Sequence, residues 1–125
     1  MPKKPKTILV VEDDPDARRL IESVLTLSHL NVILAADGQE GLEQAKKESP
    51  DLIITDIAMP RLNGLGLIRA LRAIPEFKKR PILAVTSFGM EKAMDAIRAG
   101  ANRALARPVE NHLLLVFVFD LLHLA

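Results

Sequence analysis

Five short apolar runs alternate along the chain with longer segments that mix apolar and polar residues. The runs are TILVV at 7–11, NVILA at 31–35, DLIIT at 51–55, PILAV at 81–85 and ALA at 104–106. Four of them are continuously apolar and rich in β-branched residues, a pattern typical of parallel strands covered on both faces. The fifth run is weak by itself. The pattern therefore predicts a largely buried parallel sheet.

The intervening segments have the apolar periodicity of amphipathic helices. Asp14 and Pro15 together form a helix-start signal, because an aspartate caps and a proline suits the first turn. Gly100 is a natural C-terminal cap. The predicted helices cover residues 15–28, 38–49, 64–73, 90–100 and the segment from Pro108 to the end. Strands alternating with helices indicate an α/β domain, with right-handed crossovers placing helices on both faces of the sheet.

Composition narrows the class of protein without identifying it. The 125 residues suit a single domain over 1–125, with MPKKPK at 1–6 as a disordered basic arm. A net charge of +1 gives no case for direct nucleic-acid binding. Cysteine is absent, which excludes disulfides and thiol chemistry and fits a reducing cytoplasm.

The last helix is apolar on more than one side. Its most apolar stretch, LLLVFVF at 113–119, is well short of the ~20 residues that a membrane span needs. We therefore expect a soluble, cytoplasmic protein. A surface helix normally shows one apolar stripe, so the pattern favours a partner or self-association face. The alternative is a helix buried more deeply than usual.

Polar side chains follow four of the five predicted strands. They are Glu12, Asp13 and Asp14 after the first run, Asp56 after the third, Thr86 and Ser87 after the fourth, and Arg107 after the fifth. In open α/β sheets, ligands bind beyond the carboxyl ends of the strands. If these four strands are neighbours, their polar residues converge on one pocket.

The convergence would have a definite chemistry. Carboxylates brought together repel, and a hard divalent cation such as Mg²⁺ relieves that repulsion. Thr86 and Arg107 could then hold phosphate oxygens, and Asp56 could accept a phosphoryl group. Taken singly, the acidic run after the first strand could be a solvated loop and cap, Asp56 a turn residue, and Thr86 a helix cap. Their joint occurrence at the same strand ends favours a shared site.

Over residues 6–125 the chain resembles a response-regulator receiver domain, the phosphoacceptor module of bacterial two-component signalling. The resemblance rests on ILVVEDDPDARRLI, PDLIITDIAMPRLNGLGLIRALR, PILAVTS and AGANRALARPVE, in the expected order and spacing. It implies a doubly wound, flavodoxin-like fold: a five-stranded parallel sheet of order 2-1-3-4-5 with five helices. In MPRLNG, Pro60 and Gly64 match the turn that supports the acidic site.

The resemblance also implies a role for each acidic residue. Asp56 corresponds to the phosphoacceptor. Asp13 corresponds to the direct Mg²⁺ ligand, and Glu12 to the neighbour that acts largely through water. The backbone carbonyl of Ala58 is the remaining protein ligand that the resemblance implies.

On the phosphate side, the resemblance makes Thr86 the switch hydroxyl and Ser87 the small residue beside the phosphate. The chain departs from the family at two positions. Arg107 stands where the family has lysine, and Ala104 stands where it has an aromatic ring. The first change keeps the charge but replaces a compact ammonium with a planar guanidinium. The family geometry further implies a cis peptide bond between Arg107 and Pro108.

The leading hypothesis is a signalling receiver rather than an enzyme. It would take a phosphoryl group from a histidine kinase or phosphotransfer protein and change its helix 4, strand 5 and helix 5 face, with a homodimer through the last helix. The second hypothesis is an atypical receiver that serves as a docking or dimerisation module or a phosphate sink. A Mg²⁺-dependent phosphohydrolase is disfavoured because Ala58 stands at the general acid/base position. A flavin-binding protein is disfavoured because EDD follows the first strand.

Overall fold

The computed structural model describes residues 4–59, 62–87 and 89–124. Five strands and five helices alternate, and the strands form one parallel sheet of order β2-β1-β3-β4-β5. The elements are β1 Thr7–Val11, α1 Pro15–Leu27, β2 Asn31–Ala35, α2 Gly38–Glu48, β3 Leu52–Asp56, α3 Gly64–Arg72, β4 Ile82–Thr86, α4 Gly89–Ala99, β5 Arg103–Ala106 and α5 Asn111–Leu124. The predicted fold class and strand order are confirmed.

Several predicted boundaries differ from the structure by one residue, and the last helix differs by more. It begins at Asn111, not Pro108, because the Glu110 carboxylate caps it by accepting the N–H groups of His112 and Leu113 at 2.8 and 3.1 Å. A short 3₁₀ turn at Pro75–Phe77 was not predicted. In the predicted basic arm, residues 4–6 are exposed and lie outside any helix or strand, and residues 1–3 lie outside the described part.

The sheet has an apolar layer on each face. Alternate residues of β1 divide between them: Leu9 and Val11 face the layer built with α2, α3 and α4, whereas Ile8 and Val10 face the layer built with α1 and α5. This division follows from the two-residue period of a strand. Because both faces are covered, the central strands are apolar at nearly every position.

The apolar character of α5 divides between two sides of the helix. Leu114, Val118, Leu121 and Leu122 are buried against the sheet. Leu113, Val116 and Phe119 are exposed, at a spacing that places them on one face. One side of the helix is therefore core and another presents an apolar surface, and a partner or self-association face stays a prediction. Within the described residues, no helix is long and apolar enough to cross a membrane.

Arg72, the last residue of α3, joins three parts of the chain at the edge of the sheet opposite the strands' carboxyl ends. Its Nε donates to the carbonyl of Gly100 at 2.9 Å, and its Nη1 donates to the carbonyls of Phe77 and Arg80 at 2.7 and 2.6 Å. Its Nη2 donates to the side-chain oxygen of Asn102 at 2.9 Å. The guanidinium thus holds the ends of α3 and α4 and the segment before β4 together.

We expect Arg72→Met to lower the free energy of unfolding by about 2 kcal/mol, because several carbonyl groups lose a charged hydrogen-bond donor. The measurement is urea denaturation followed by far-UV circular dichroism. Arg69→Met is the matched control, since Arg69 lies on the same helix and is exposed; it should change the stability by less than about 0.5 kcal/mol. Equal effects of the two substitutions would contradict the role of Arg72.

Candidate functional site

The predicted site residues all lie at the carboxyl edge of the sheet. Glu12 and Asp13 directly follow β1, and Arg107 directly follows β5. Asp56 and Thr86 are the last residues of β3 and β4, one position beyond the ends of the strands predicted from sequence. The register explains their approach, since Asp56 pairs with Val85 and Thr86 pairs with Ala106 on neighbouring strands.

Three carboxylates meet at this edge. One oxygen from each of Glu12, Asp13 and Asp56 can be chosen so that all lie within 4.8 Å of one another. Glu12 is buried, Asp56 is partly buried and Asp13 is exposed. Hard oxygen donors at this spacing, with one open to solvent, fit a divalent cation such as Mg²⁺ that keeps part of its water shell. Ala58 is exposed two residues after Asp56, and a ligand role for its carbonyl stays a prediction.

The backbone around Asp56 is tightly packed. The N–H of Ile57 donates to Asp56 Oδ1 at 2.8 Å, and the N–H of Gly64 donates to the carbonyl of Ile57 at 2.8 Å. A Cβ atom at Gly64 would lie 2.1 Å from the carbonyl oxygen of Asp56. The start of α3 therefore sits on the backbone of the acidic residue, and only glycine allows that approach. Pro60, the other turn residue named from sequence, lies outside the described residues.

Burial raises the pKa of Asp56 to about 6 from an ordinary value of 3.8. Desolvation is the largest cause, and the negative charge of Asp13 adds to it. Hydrogen bonds from the backbone N–H groups of Ile57 and Ala58 oppose the shift by stabilising the carboxylate. The charge of this side chain is thus incompletely compensated at neutral pH, as expected of a carboxylate at a cation-binding site.

The Arg107 side chain lies against the acidic cluster. Its backbone N–H donates to the carbonyl of Thr86 at 2.8 Å, and the Arg107–Pro108 peptide bond is cis, the geometry that the resemblance implies. Its Nη2 forms an ion pair with Glu12 Oε1 and lies 4.0 Å from Asp56 Oδ2. Burial lowers the pKa of this guanidinium, which nevertheless remains charged. The pairing with Glu12 was not predicted.

Ser87 and Ala58 border two different cavities. Ser87 and Arg107 line a mostly apolar groove of about 450 Å³ between α1 and the start of α5, with walls that include Leu20 and Ile21. Ala58 lines a smaller cavity of about 260 Å³ beside Lys92 of α4. Thr86 is fully buried at the end of β4. The acidic cluster therefore has an apolar surface on the α1 and α5 side.

Sequence reasoning missed one residue that supports the cluster. Arg18 of α1 donates from Nη1 to the carbonyl of Glu12 at 2.8 Å, which fixes the turn between β1 and α1. No pattern in the sequence announces this contact, because its acceptor is a backbone carbonyl six residues away. The pairing of Glu12 with Arg107 was missed for a related reason, since the two residues are 95 positions apart.

The family model described as "Response regulator receiver domain" matches residues 8–118. The chain belongs to the response-regulator receiver family. It is therefore a receiver domain of two-component signalling, a class of signalling modules rather than conventional enzymes.

This receiver spans most of the length of one curated relative and a small part of others. It is 32% identical over 106 residues to the polar-differentiation response regulator DivK of Brucella anthropi, covering 84% of this chain and 86% of that protein. It spans only 7% of the length of the hybrid signal transduction histidine kinase D of Dictyostelium discoideum. It spans 31% of the length of the regulator of RpoS of Escherichia coli.

Solved structures agree with the fold. A response-regulator crystal structure from Chloroflexus aurantiacus superposes with a TM-score of 0.93 at 36% identity, covering 96% of this chain and 99% of that one. The receiver domain of the sensor histidine kinase PA1611 from Pseudomonas aeruginosa, with magnesium coordinated in its active-site cleft, gives 0.89 at 29% identity and covers 95% and 98%.

The raised pKa of Asp56 predicts how its replacement changes stability with pH. A carboxyl whose pKa is higher when folded than when unfolded stabilises the fold when protonated, and that stability is lost as pH rises through about 6. Asp56→Asn, which stays neutral, should therefore gain little over the unchanged protein at pH 4. At pH 7.5 the gain should reach roughly 2–3 kcal/mol.

Urea denaturation in a chelating buffer at both pH values measures this difference. Asp120→Asn, on the exposed side of α5, controls for the general effect of an aspartate-to-asparagine change. A gain from Asp56→Asn that is the same at pH 4 and pH 7.5 would contradict the assignment.

Proposed function

We propose that this receiver accepts a phosphoryl group on Asp56, in the presence of Mg²⁺, from a histidine kinase or a histidine phosphotransfer protein. The observation that carries the proposal is the convergence of Glu12, Asp13 and Arg107 on Asp56 at the carboxyl edge of the sheet. In the transfer, an Asp56 oxygen forms the new bond to phosphorus. The phosphorus–nitrogen bond of the donor breaks, and the imidazole leaves with the electron pair and takes up a proton.

The residues around Asp56 divide the work of positioning and charge neutralisation. Glu12 and Asp13, with Asp56 itself and the Ala58 carbonyl, would hold the cation, which when bound neutralises charge on the transferring phosphoryl group. The N–H of Ile57 holds the Asp56 carboxylate in one orientation. Thr86 and Arg107 would donate to phosphoryl oxygens, and the small side chain of Ser87 would leave room beside them. The magnesium-bound relative from Pseudomonas aeruginosa supports the choice of metal.

The surface around this site suits a helical phosphodonor. The groove beside Arg107 is lined mainly by apolar side chains such as Leu20, Ile21 and Leu114. It opens next to the acidic cluster, because Arg107 lines the groove and also pairs with Glu12. A donor helix lying in the groove would bring its histidine to Asp56. We place the receiver in the cytoplasm with its kinase, as one domain over residues 1–125 and without direct contact to nucleic acid.

Phosphorylation is tested by incubating the protein with a small phosphodonor and Mg²⁺ and measuring its intact mass. We expect the addition of one phosphoryl group. It should disappear in Asp56→Asn and in the presence of a chelator, because nucleophile and cation are both required. Asp120→Asn should be modified as the unchanged protein is. Modification of Asp56→Asn to the same extent would contradict the proposal.

The output of this receiver would pass through its α4, β5 and α5 face. Ala104 is partly buried against the core and has no ring to move with Thr86. The helices that precede and follow β5 each carry an exposed apolar row: Met90, Met94 and Ile97 on α4, and Leu113, Val116 and Phe119 on α5. The two helices pack on opposite faces of the sheet. Single exposed apolar residues are ordinary, whereas a row on each of these helices indicates an interaction surface. We propose that two copies associate through these rows. The same rows favour the alternative hypothesis of a dimerisation module.

We expect Phe119→Glu to abolish this association, because it places a charge in the apolar contact. Light scattering coupled to size exclusion, over a range of protein concentrations and with and without phosphodonor, should show a dimer for the unchanged protein and a monomer for the variant. Leu27→Glu is the control, since Leu27 is 82% exposed on α1 and belongs to neither of the two rows. A monomer for the unchanged protein under every condition would rule out the dimer.

A further inference from the structure

Both carboxylate oxygens of Glu12 are already engaged by donors of the protein. Arg107 Nη2 contacts Oε1, and the backbone N–H of Asp14 donates to Oε2 at 3.1 Å. Glu12 is 2% exposed, so water contributes little to stabilising its charge. A buried carboxylate that loses its counter-ion is strongly destabilised. Glu12 is therefore held by Arg107, and a metal or its water shell would have to share this carboxylate with the guanidinium unless that contact is given up.

The guanidinium also lies where the positive charge of a bound cation is needed. Its Nη2 reaches Glu12 and stands 4.0 Å from Asp56 Oδ2, so that it faces two of the three carboxylates of the cluster. A divalent cation held by the same carboxylates would be only a few ångströms from this charge, and the two would repel strongly in a partly buried site. The carboxylates cannot fully serve both.

The Arg107 side chain has a second position available to it, on the side of the groove. Its backbone is anchored to Thr86, but its side chain is 25% exposed and borders the groove beside Leu20. A long guanidinium side chain can turn towards that opening and still keep its charged end in water.

We propose that Arg107 and Mg²⁺ compete for Glu12, so that this ion pair sets the Mg²⁺ concentration at which the acidic site fills. Filling turns the guanidinium away from Glu12. The coupling is reciprocal. The Arg107–Glu12 contact weakens Mg²⁺ binding, and bound Mg²⁺ weakens the Arg107–Glu12 contact by the same free energy. The inference rests on the metal site of the proposed function, but not on phosphoryl transfer.

The first test is a Mg²⁺ titration followed by the backbone amide signals of Asp13, Ile57 and Ala58 in NMR spectra. Arg107→Gln should bind Mg²⁺ about tenfold more tightly than the unchanged protein. Arg103→Gln is the matched control: it removes the same charge from the other end of β5, where Arg103 lies over the ring of Phe117, and it should leave the affinity unchanged. Equal affinities of Arg107→Gln and the unchanged protein, or binding by neither, would overturn the proposal.

A second test separates competition for Glu12 from simple repulsion between charges. In a Glu12→Gln background, Arg107→Gln should improve Mg²⁺ binding less than twofold, because the shared carboxylate is gone. An undiminished tenfold gain would show that only general repulsion is at work.

The unchanged protein gives an independent readout through the side-chain Nε–H signal of Arg107. It should move with the same midpoint as the amide of Asp13 during the titration, and a signal that stays fixed as the site fills would also overturn the proposal. These results do not depend on phosphorylation: metal competition without modification of Asp56 would refute the proposed function alone.

Discussion

The parallel pairing of β1, β3, β4 and β5 brings four carboxyl ends to one edge of the sheet, and the rest of the site depends on this register. Because Asp56 ends β3 beside β1, it comes close to Glu12 and Asp13 whatever their charges. The apolar layers on both faces of the sheet hold the strands in place. The packing of the core therefore holds several negative charges close together, although their mutual repulsion opposes that arrangement.

Compensation of that charge comes from several sources of different strength. Backbone N–H groups hold Asp56 and Glu12, and one guanidinium serves two carboxylates. These contacts are not enough for Asp56, whose pKa remains raised to about 6. A cation or a phosphoryl group with its metal would change the electrostatic balance of the whole cluster. Such sensitivity would suit the proposed switch, since an added charge would act on groups whose own charge is already poorly compensated, chiefly because of burial.

The fold followed from the sequence wherever its cause was local or periodic. The apolar runs predicted the strands, although β3 and β4 each extend one residue further, to Asp56 and Thr86. Strand order did not follow from periodicity and came with the family resemblance, because pairing partners are distant in the chain. The contacts of Arg72, Arg18 and Arg107 could not be predicted from the sequence. Their acceptors are backbone carbonyls or distant side chains, which no sequence pattern indicates. The start of α5 was placed near Pro108, whereas the helix begins at Asn111 with Glu110 as its cap.

In the proposed function, phosphoryl transfer and signal transmission would depend on different residues. Every proposed ligand and the proposed nucleophile are present, whereas Ala104 stands where the resemblance implies an aromatic ring. A methyl group at this position of β5 would not follow a displacement of Thr86 as a ring would. Arg107, one position beyond β5, contacts the acidic cluster and also lines the α1–α5 groove. In the proposed function it would therefore connect a change of charge at Asp56 to a change of the surface beside α1 and α5.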